Sequence, residues 1–246
     1  MTRQRSFAAE AASPAAPASV FAVLADVIPG LAATRRALHA VAEGLLAAPQ
    51  YRATGTIRLA ARPGGFTTTH RYEDVQLVAV EGTDLLVVRG GVELRLRLSG
   101  TCGELAAAAG LPLGGLEDLY AGSLRPAPST RVEVDADAAA ILAAGWSLGD
   151  RALRMFAGEV ATVPPAPVIW PEHFDVSISL DGVNYGVSPG DGTVPVPYAY
   201  VAPATPPTGR FWNQPFGAAR PLAYLPDQAE VSEFFRAGRR LARGPS

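Results

Sequence analysis

The chain has 246 residues, 48% of them hydrophobic and 18% charged, with a formal net charge of −2 and an isoelectric point near 5.9, the composition of a globular protein that buries its own core without disulfides or metals. This charge balance offers no broad attraction for nucleic acid or for an anionic membrane. The sequence contains no lysine, which excludes Schiff-base chemistry, a phosphate-loop lysine and a lysine general base.

Residues 1–19 are rich in Ala, Pro and Ser and predict a disordered leader. It is neither an export signal nor a membrane span, since Glu10 and Asp26 interrupt its apolar runs. Ordered structure is expected from about residue 20. Leu31, Leu38, Val41 and Leu45 describe the apolar stripe of a helix ended by Pro49, with Arg35, His39 and Glu43 following at i, i+4 on the solvent side.

From residue 53 to 99 the period changes to two. Strands are expected at 54–60, 75–80, 84–89 and 92–98, the later ones joined by tight turns at Glu81-Gly-Thr83 and Gly90-Gly91. In the last strand Val92, Leu94, Leu96 and Leu98 share one face and Glu93, Arg95 and Arg97 the other, the pattern of a half-buried strand with a charged outer row.

Cys102 is the single cysteine, so no internal disulfide forms and a reduced, cytoplasmic setting follows. Its place at the start of a short helix leaves two readings open, a reactive thiol and a small buried apolar side chain. Further on, 116–120 suggests a helical turn and 131–134 a short strand. Residues 135–157 suggest a long helical run capped by Asp135 or Asp137, which Gly145 and Gly149 would divide in two. Val163-Pro-Pro-Ala-Pro167 is a stiff extended segment and marks a boundary. Residues 228–242 predict a C-terminal helix with Arg236, Arg239, Arg240 and Arg243 toward its end. The expected fold is α+β, with an antiparallel β-rich core and flanking helices in two lobes: a helix, a β-meander and further helices at 20–160, then a Pro- and aromatic-rich hairpin lobe with its helix at 161–246.

Chemistry-bearing residues concentrate at 170–191. Phe174, Val176, Ile178 and Leu180 alternate with Asp175, Ser177, Ser179 and Asp181, and Asp181-Gly182 is a two-residue turn into Val183-Asn-Tyr-Gly-Val187. This hairpin sets Leu180 opposite Val183, Ile178 opposite Tyr185 and Val176 opposite Val187. His173, Asp175, Ser177 and Ser179 then share the other face with Asn184 and Ser188, and a turn at Ser188-Pro-Gly190 brings back Asp191 near Glu172. A nucleophilic Ser188 or Ser177 lacks a Gly-x-Ser-x-Gly turn. Tyr198 and Tyr200 lie on one face of an edge-type strand, and the aromatic loop around Trp212 follows; either could line a small-molecule pocket.

Trp170-Pro-Glu-His-Phe-Asp175, Tyr185-Gly-Val-Ser-Pro-Gly-Asp191, Pro197-Tyr-Ala-Tyr-Val201 and Phe211-Trp-Asn-Gln-Pro-Phe-Gly-Ala218 together resemble the signature of a family of bacterial, largely actinobacterial, proteins marked by a WP(H/E)HFD and SPGD pattern. The resemblance covers about the C-terminal third and brings no activity with it; it implies that these positions belong together. Where relatives commonly carry His-His before Phe-Asp, this chain has Glu172-His173.

The functional expectation is small-ligand binding at His173, Asp175 and Asp191, with Glu172, Asn184, Tyr198 and Trp212 around them. No cofactor is specified. A second expectation is a metal-assisted hydrolase or isomerase, in which His173 and Asp191 hold the ion and Glu172 or Asp175 handles protons. A third is a structural or partner-binding protein on which these groups are solvated.

Overall fold

The computed structural model describes residues 30–243; the expected leader at 1–19 and the expected start of order near residue 20 lie outside the described residues. The fold is α+β, built on one antiparallel sheet. Its strands are β1 (Leu59–Arg62), β2 (Gly65–Thr68), β3 (Val75–Glu81), β4 (Asp84–Arg89), β5 (Val92–Arg97), β6 (Val168–Trp170), β7 (Asp175–Leu180), β8 (Val183–Ser188), β9 (Tyr198–Pro203) and β10 (Ala218–Pro221). They run in the order β10-β9-β8-β7-β6-β1-β2-β3-β4-β5. The helices are α1 (Leu31–Val41), which continues through a π-helical turn (Ala42–Ala47) into α2 (Ala48–Thr54), then α3 (Cys102–Ala109), α4 (Ala136–Val160) and α5 (Gln228–Ala242).

Two meanders, β1–β5 and β6–β10, meet where Leu59 of β1 pairs with Ile169 of β6. The Pro-rich segment at 163–167 thus leads directly into a strand that joins the two meanders. The register of the β7–β8 hairpin is the one that alternation demands: Leu180 faces Val183, Ile178 faces Tyr185 and Val176 faces Val187. Their apolar side chains turn toward α4 and α5 and are buried, Leu180 only in part. The opposite face carries Asp175 and Ser177 of β7, Gly186 and Ser188 of β8, and, paired beside them, Tyr198 and Tyr200 of β9.

Helix α4 is continuous across Gly145 and Gly149, where a break is expected from sequence. Leu142, Trp146, Leu153 and Phe156 are at most 1% exposed along it, and burying each contributes about 1.5–3 kcal/mol, more than the roughly 1 kcal/mol that a glycine costs a helix. Gly149 is itself a contact point. A Cβ there would lie 2.6 Å from Val176 Cγ1 and 2.8 Å from Val187 Cβ, so the missing side chain lets α4 sit on the β7–β8 hairpin.

The first helix does not stop at Pro49. Proline lacks the N–H that the ladder would need, and the π-helical turn before it widens the bonding pattern: Ala48 N donates to Glu43 O. The Gly44 carbonyl is satisfied from outside, by Gly114 N at 3.1 Å. Residues 54–58 are accordingly a helix end and a loop, and the strand expected at 54–60 begins only at Leu59, in β1. Residues 131–134 contribute only the bridge between Arg131 and Thr101, and 116–120 forms turns. Strand β5 lies at the sheet edge, and of the face expected to be half-buried Leu98 is buried and Leu96 partly so, while Val92 is 71% and Leu94 38% exposed. Cys102 is buried behind a capping box of Thr101 and Glu104, and burial raises its thiol pKa; it is the apolar, unreactive cysteine.

Replacing Gly149 by Ala is expected to lift α4 from the hairpin and lower stability by roughly 1–3 kcal/mol, whereas Gly158→Ala on the same helix, where an added Cβ meets nothing, is expected to raise it by about 0.4–1 kcal/mol. Urea unfolding of the two variants checks the difference.

Candidate functional site

The segment after β6 is a turn, not strand. His173 N and Phe174 N both donate to Trp170 O, at 3.3 and 2.7 Å, and Phe174 takes a left-handed φ of 57°. Such a conformation is unfavourable for a bulky residue, and the surroundings hold it. Phe174 is 1% exposed, stacks on His39 at 4.9 Å, meets Phe66 at 5.2 Å and Trp146 at 4.7 Å, and its carbonyl accepts from Trp146 Nε1 at 3.1 Å. The reversal breaks the alternation that would have placed His173 beside Asp175. His173 is exposed on the turn, with Nε2 3.7 Å from Glu172 Oε1, and no hydrogen bond joins it to Asp175 among the described residues.

Asp175 opens β7 and is 3% exposed. Its Oδ2 accepts a hydrogen bond from Tyr200 Oη, while Oδ1 is buried without a partner. Tyr200 reaches it from β9 across β8, where Gly186 pairs with both Tyr200 and Ser177. A Cβ on Gly186 would lie 2.6 Å from the Tyr200 ring; the glycine is the gap through which the phenol crosses. Burial raises the Asp175 carboxyl above the ordinary carboxylate range against the opposing pull of Tyr200, His173, its own backbone N–H and the Ser177 hydroxyl, and burial, then Asp175, raises the Tyr200 phenol.

Asp191 is the contrasting case. Its Oδ1 accepts from Thr193 N at 2.6 Å and Val194 N at 2.8 Å, and its Oδ2 from Tyr198 Oη at 2.5 Å. Burial pushes this carboxyl up, but the phenol, the two amides and the nearby Arg35 together outweigh it and hold it below the usual value. The Ser-Pro-Gly turn before it is built for the approach of Arg35. Ser188 Oγ accepts from Gly190 N at 3.1 Å, and Gly190 has φ 96°. A Cβ on Gly190 would lie 2.7 Å from Arg35 Nη1, which donates to Pro189 O at 3.4 Å and Pro195 O at 3.3 Å.

These groups surround a cavity of about 540 Å³ that includes Glu172, His173, Asp175, Asn184, Asp191 and Tyr198 among its lining residues. Six of the seven residues expected at the site are thereby brought together. Trp212 is not; it packs edge-on against Phe211 at 4.9 Å, and its loop contributes Phe216 instead. Asn213 clamps that loop to Ala219 through two bonds of 2.9 and 3.1 Å. Phe216, Tyr198 and Tyr200 form a triangle with ring centroids 6.3–6.4 Å apart. Asn184 stands at the exposed rim, accepting from Ser179 Oγ at 2.5 Å.

The far wall comes from α1, through Arg35, Arg36 and His39. Arg35 and His39 are half-buried and Glu43 fully buried, so the stripe read as solvent-facing points into the protein. Glu43 accepts from Ser123 Oγ and from Leu124 N at 2.9 Å. His39 Nε2 lies 2.5 Å from Pro171 O. A carbonyl only accepts, so this nitrogen carries the proton and Nδ1 is the ring's acceptor. Burial lowers the His39 pKa. No group of three or more His, Cys, Asp or Glu side chains among the described residues has a metal-binding arrangement: Asp191 has both oxygens occupied, and His173 points away from it on its own turn. The ion-holding pair of the metal-assisted reading is therefore not assembled.

No protein-family model, curated protein or solved structure matches this chain.

Tyr200→Phe removes the phenol donor from the buried Asp175 Oδ2 and is expected to cost roughly 1–3 kcal/mol, with Gly186→Ala destabilising comparably by displacing the ring; thermal and urea unfolding report both. His39 sets a pH dependence. Because burial favours its neutral ring, the unfolded chain takes up the proton first, so its contribution is complete above the ordinary value of 6.5 and declines as pH falls through it. The stability slope between about pH 7 and 5 should flatten in His39→Gln.

Proposed function

We propose that this chain binds a small polar organic ligand in the cavity between α1 and the β7–β9 face. The observation that carries the reading is Asp175, a carboxyl 3% exposed on the cavity wall with one oxygen lacking any hydrogen-bond partner. A buried acceptor left unsatisfied costs about 1–3 kcal/mol, and a ligand donor would recover it. The cavity's 540 Å³ falls within the roughly 300–1,000 Å³ typical of small-molecule sites. Its mixture of aromatic walls with a few convergent polar groups fits the same class.

The same proposal places the protein in the cytoplasm, supported by the single buried cysteine and by the lack, among the described residues, of a helix long and apolar enough to cross a membrane. The net charge of −2 argues against a nucleic-acid partner.

The test is a ligand-observed NMR screen of small polar metabolites, repeated on Ala202→Trp, which fills the cavity from its lining without removing a polar group. Compounds that bind the unaltered chain and are lost with Ala202→Trp support the reading. A screen without binders, or binders indifferent to the tryptophan, refutes it.

A further inference from the structure

Resting on the cavity reading, we infer that the ligand carries an organic ammonium group, seated on Asp175 and flanked by the rings of Tyr198, Tyr200 and Phe216. Asp175 Oδ1 is a buried acceptor with no donor, and no arginine or histidine forms an ion pair with Asp175 among the described residues. The cations that line the cavity are engaged or peripheral: Arg35 lies against two backbone carbonyls and feels the Asp191 charge, Arg36 and His173 are exposed, and the His39 ring donates to Pro171. The cavity thus offers a carboxyl that no cationic side chain contacts as an ion pair among the described residues. Beside it stand three aromatic rings with centroids 6.3–6.4 Å apart.

That combination selects for positive charge twice. A carboxylate in a water-poor site takes an N–H⁺ donor in preference to a neutral one, and aromatic faces attract an ammonium while giving nothing comparable to an anion. Both tyrosine hydroxyls already donate to the two aspartates, which keeps the phenols protonated. A carboxylate or phosphate ligand would meet Asp175 as a like charge, or would need its proton.

Three probes of one shape separate these cases: benzylamine, benzyl alcohol and benzoate, titrated by NMR into the full chain. Benzylamine should bind about tenfold or more tightly than either of the others, and Asp175→Asn should weaken benzylamine by about tenfold or more while moving benzyl alcohol by less than about twofold. On the unaltered chain, benzylamine affinity should rise with pH as Asp175 ionises while benzyl alcohol stays level, so the test does not depend on the variant folding. The groups facing Asp175 are Glu172 and His173 on the preceding turn, Tyr198 and Tyr200 on β9, Asp191 after β8, and Arg35 and His39 on α1. His173→Gln and His39→Gln should preserve the pH profile if Asp175 is its source. Tighter binding of benzoate than of benzylamine, with loss on Ala202→Trp, would overturn the ammonium assignment and leave the site intact; absence of binding by all three together with a metabolite screen without binders would overturn both.

Discussion

Phe174 is the point on which the architecture around the cavity turns. Its ring is held between α1, α4 and β2 by His39, Trp146 and Phe66, and its backbone is held by the same Trp146 that packs on it. Because the side chain is committed to the core, the chain must reverse through a left-handed φ, a conformation that costs on the order of 1–3 kcal/mol for a residue of this type. Two results follow from that one constraint. The residue before it, His173, is turned out to solvent, and the residue after it, Asp175, enters the sheet already buried. The cavity lies between these two directions.

Short-range pattern carried most of the sheet and little of the site's far wall. The hairpin at Asp181-Gly182 was legible because period-two alternation and a two-residue turn specify register by themselves, and the C-terminal helix because the arginines toward its end are a local signal. The gathering of Glu172, Asp175, Asn184, Asp191 and Tyr198 was legible for the same reason, all lying on one strand face or its adjoining turns. Arg35, His39 and Glu43 were misjudged because helical periodicity assigns a polar stripe to solvent. It contains no information that another segment, here 171–195, will lie over that stripe and supply carbonyls for its donors. Trp212 and Phe216 show a related limit: within an aromatic loop, composition does not say which ring faces inward, and only the clamp at Asn213 and Ala219 decides it. Gly149 is misleading in the opposite sense, since its helix-propensity penalty coincides with a position where the close contact with Val176 and Val187 requires a glycine.

The π-helical turn at Ala42–Ala47 connects this wall to the rest of the molecule. It absorbs Pro49 without ending the helix, and the widened turn lets the Gly44 carbonyl reach Gly114 N while the Glu43 carboxylate accepts from residues 123 and 124. The long segment between α3 and α4 is thereby fastened to the helix that also carries Arg35 and His39. A disturbance of that segment would reach the cavity through α1, whose tilt sets how closely Arg35 approaches the Ser-Pro-Gly turn.

Two tyrosine–aspartate pairs stand side by side on this face and the pKa values of their carboxyls are shifted in opposite directions, although each is a phenol donating to a carboxyl. The difference lies in what else each carboxyl receives. Asp191 has two loop amides and a nearby guanidinium in addition to Tyr198, enough donors to keep it ionised in spite of partial burial. Asp175 has Tyr200 for one oxygen and nothing for the other, so burial prevails and raises its pKa. The first pair is complete within the protein and holds the loop that Arg35 touches. The second is incomplete by one donor, and that deficit, rather than the presence of acidic residues as such, distinguishes a binding position from a structural one.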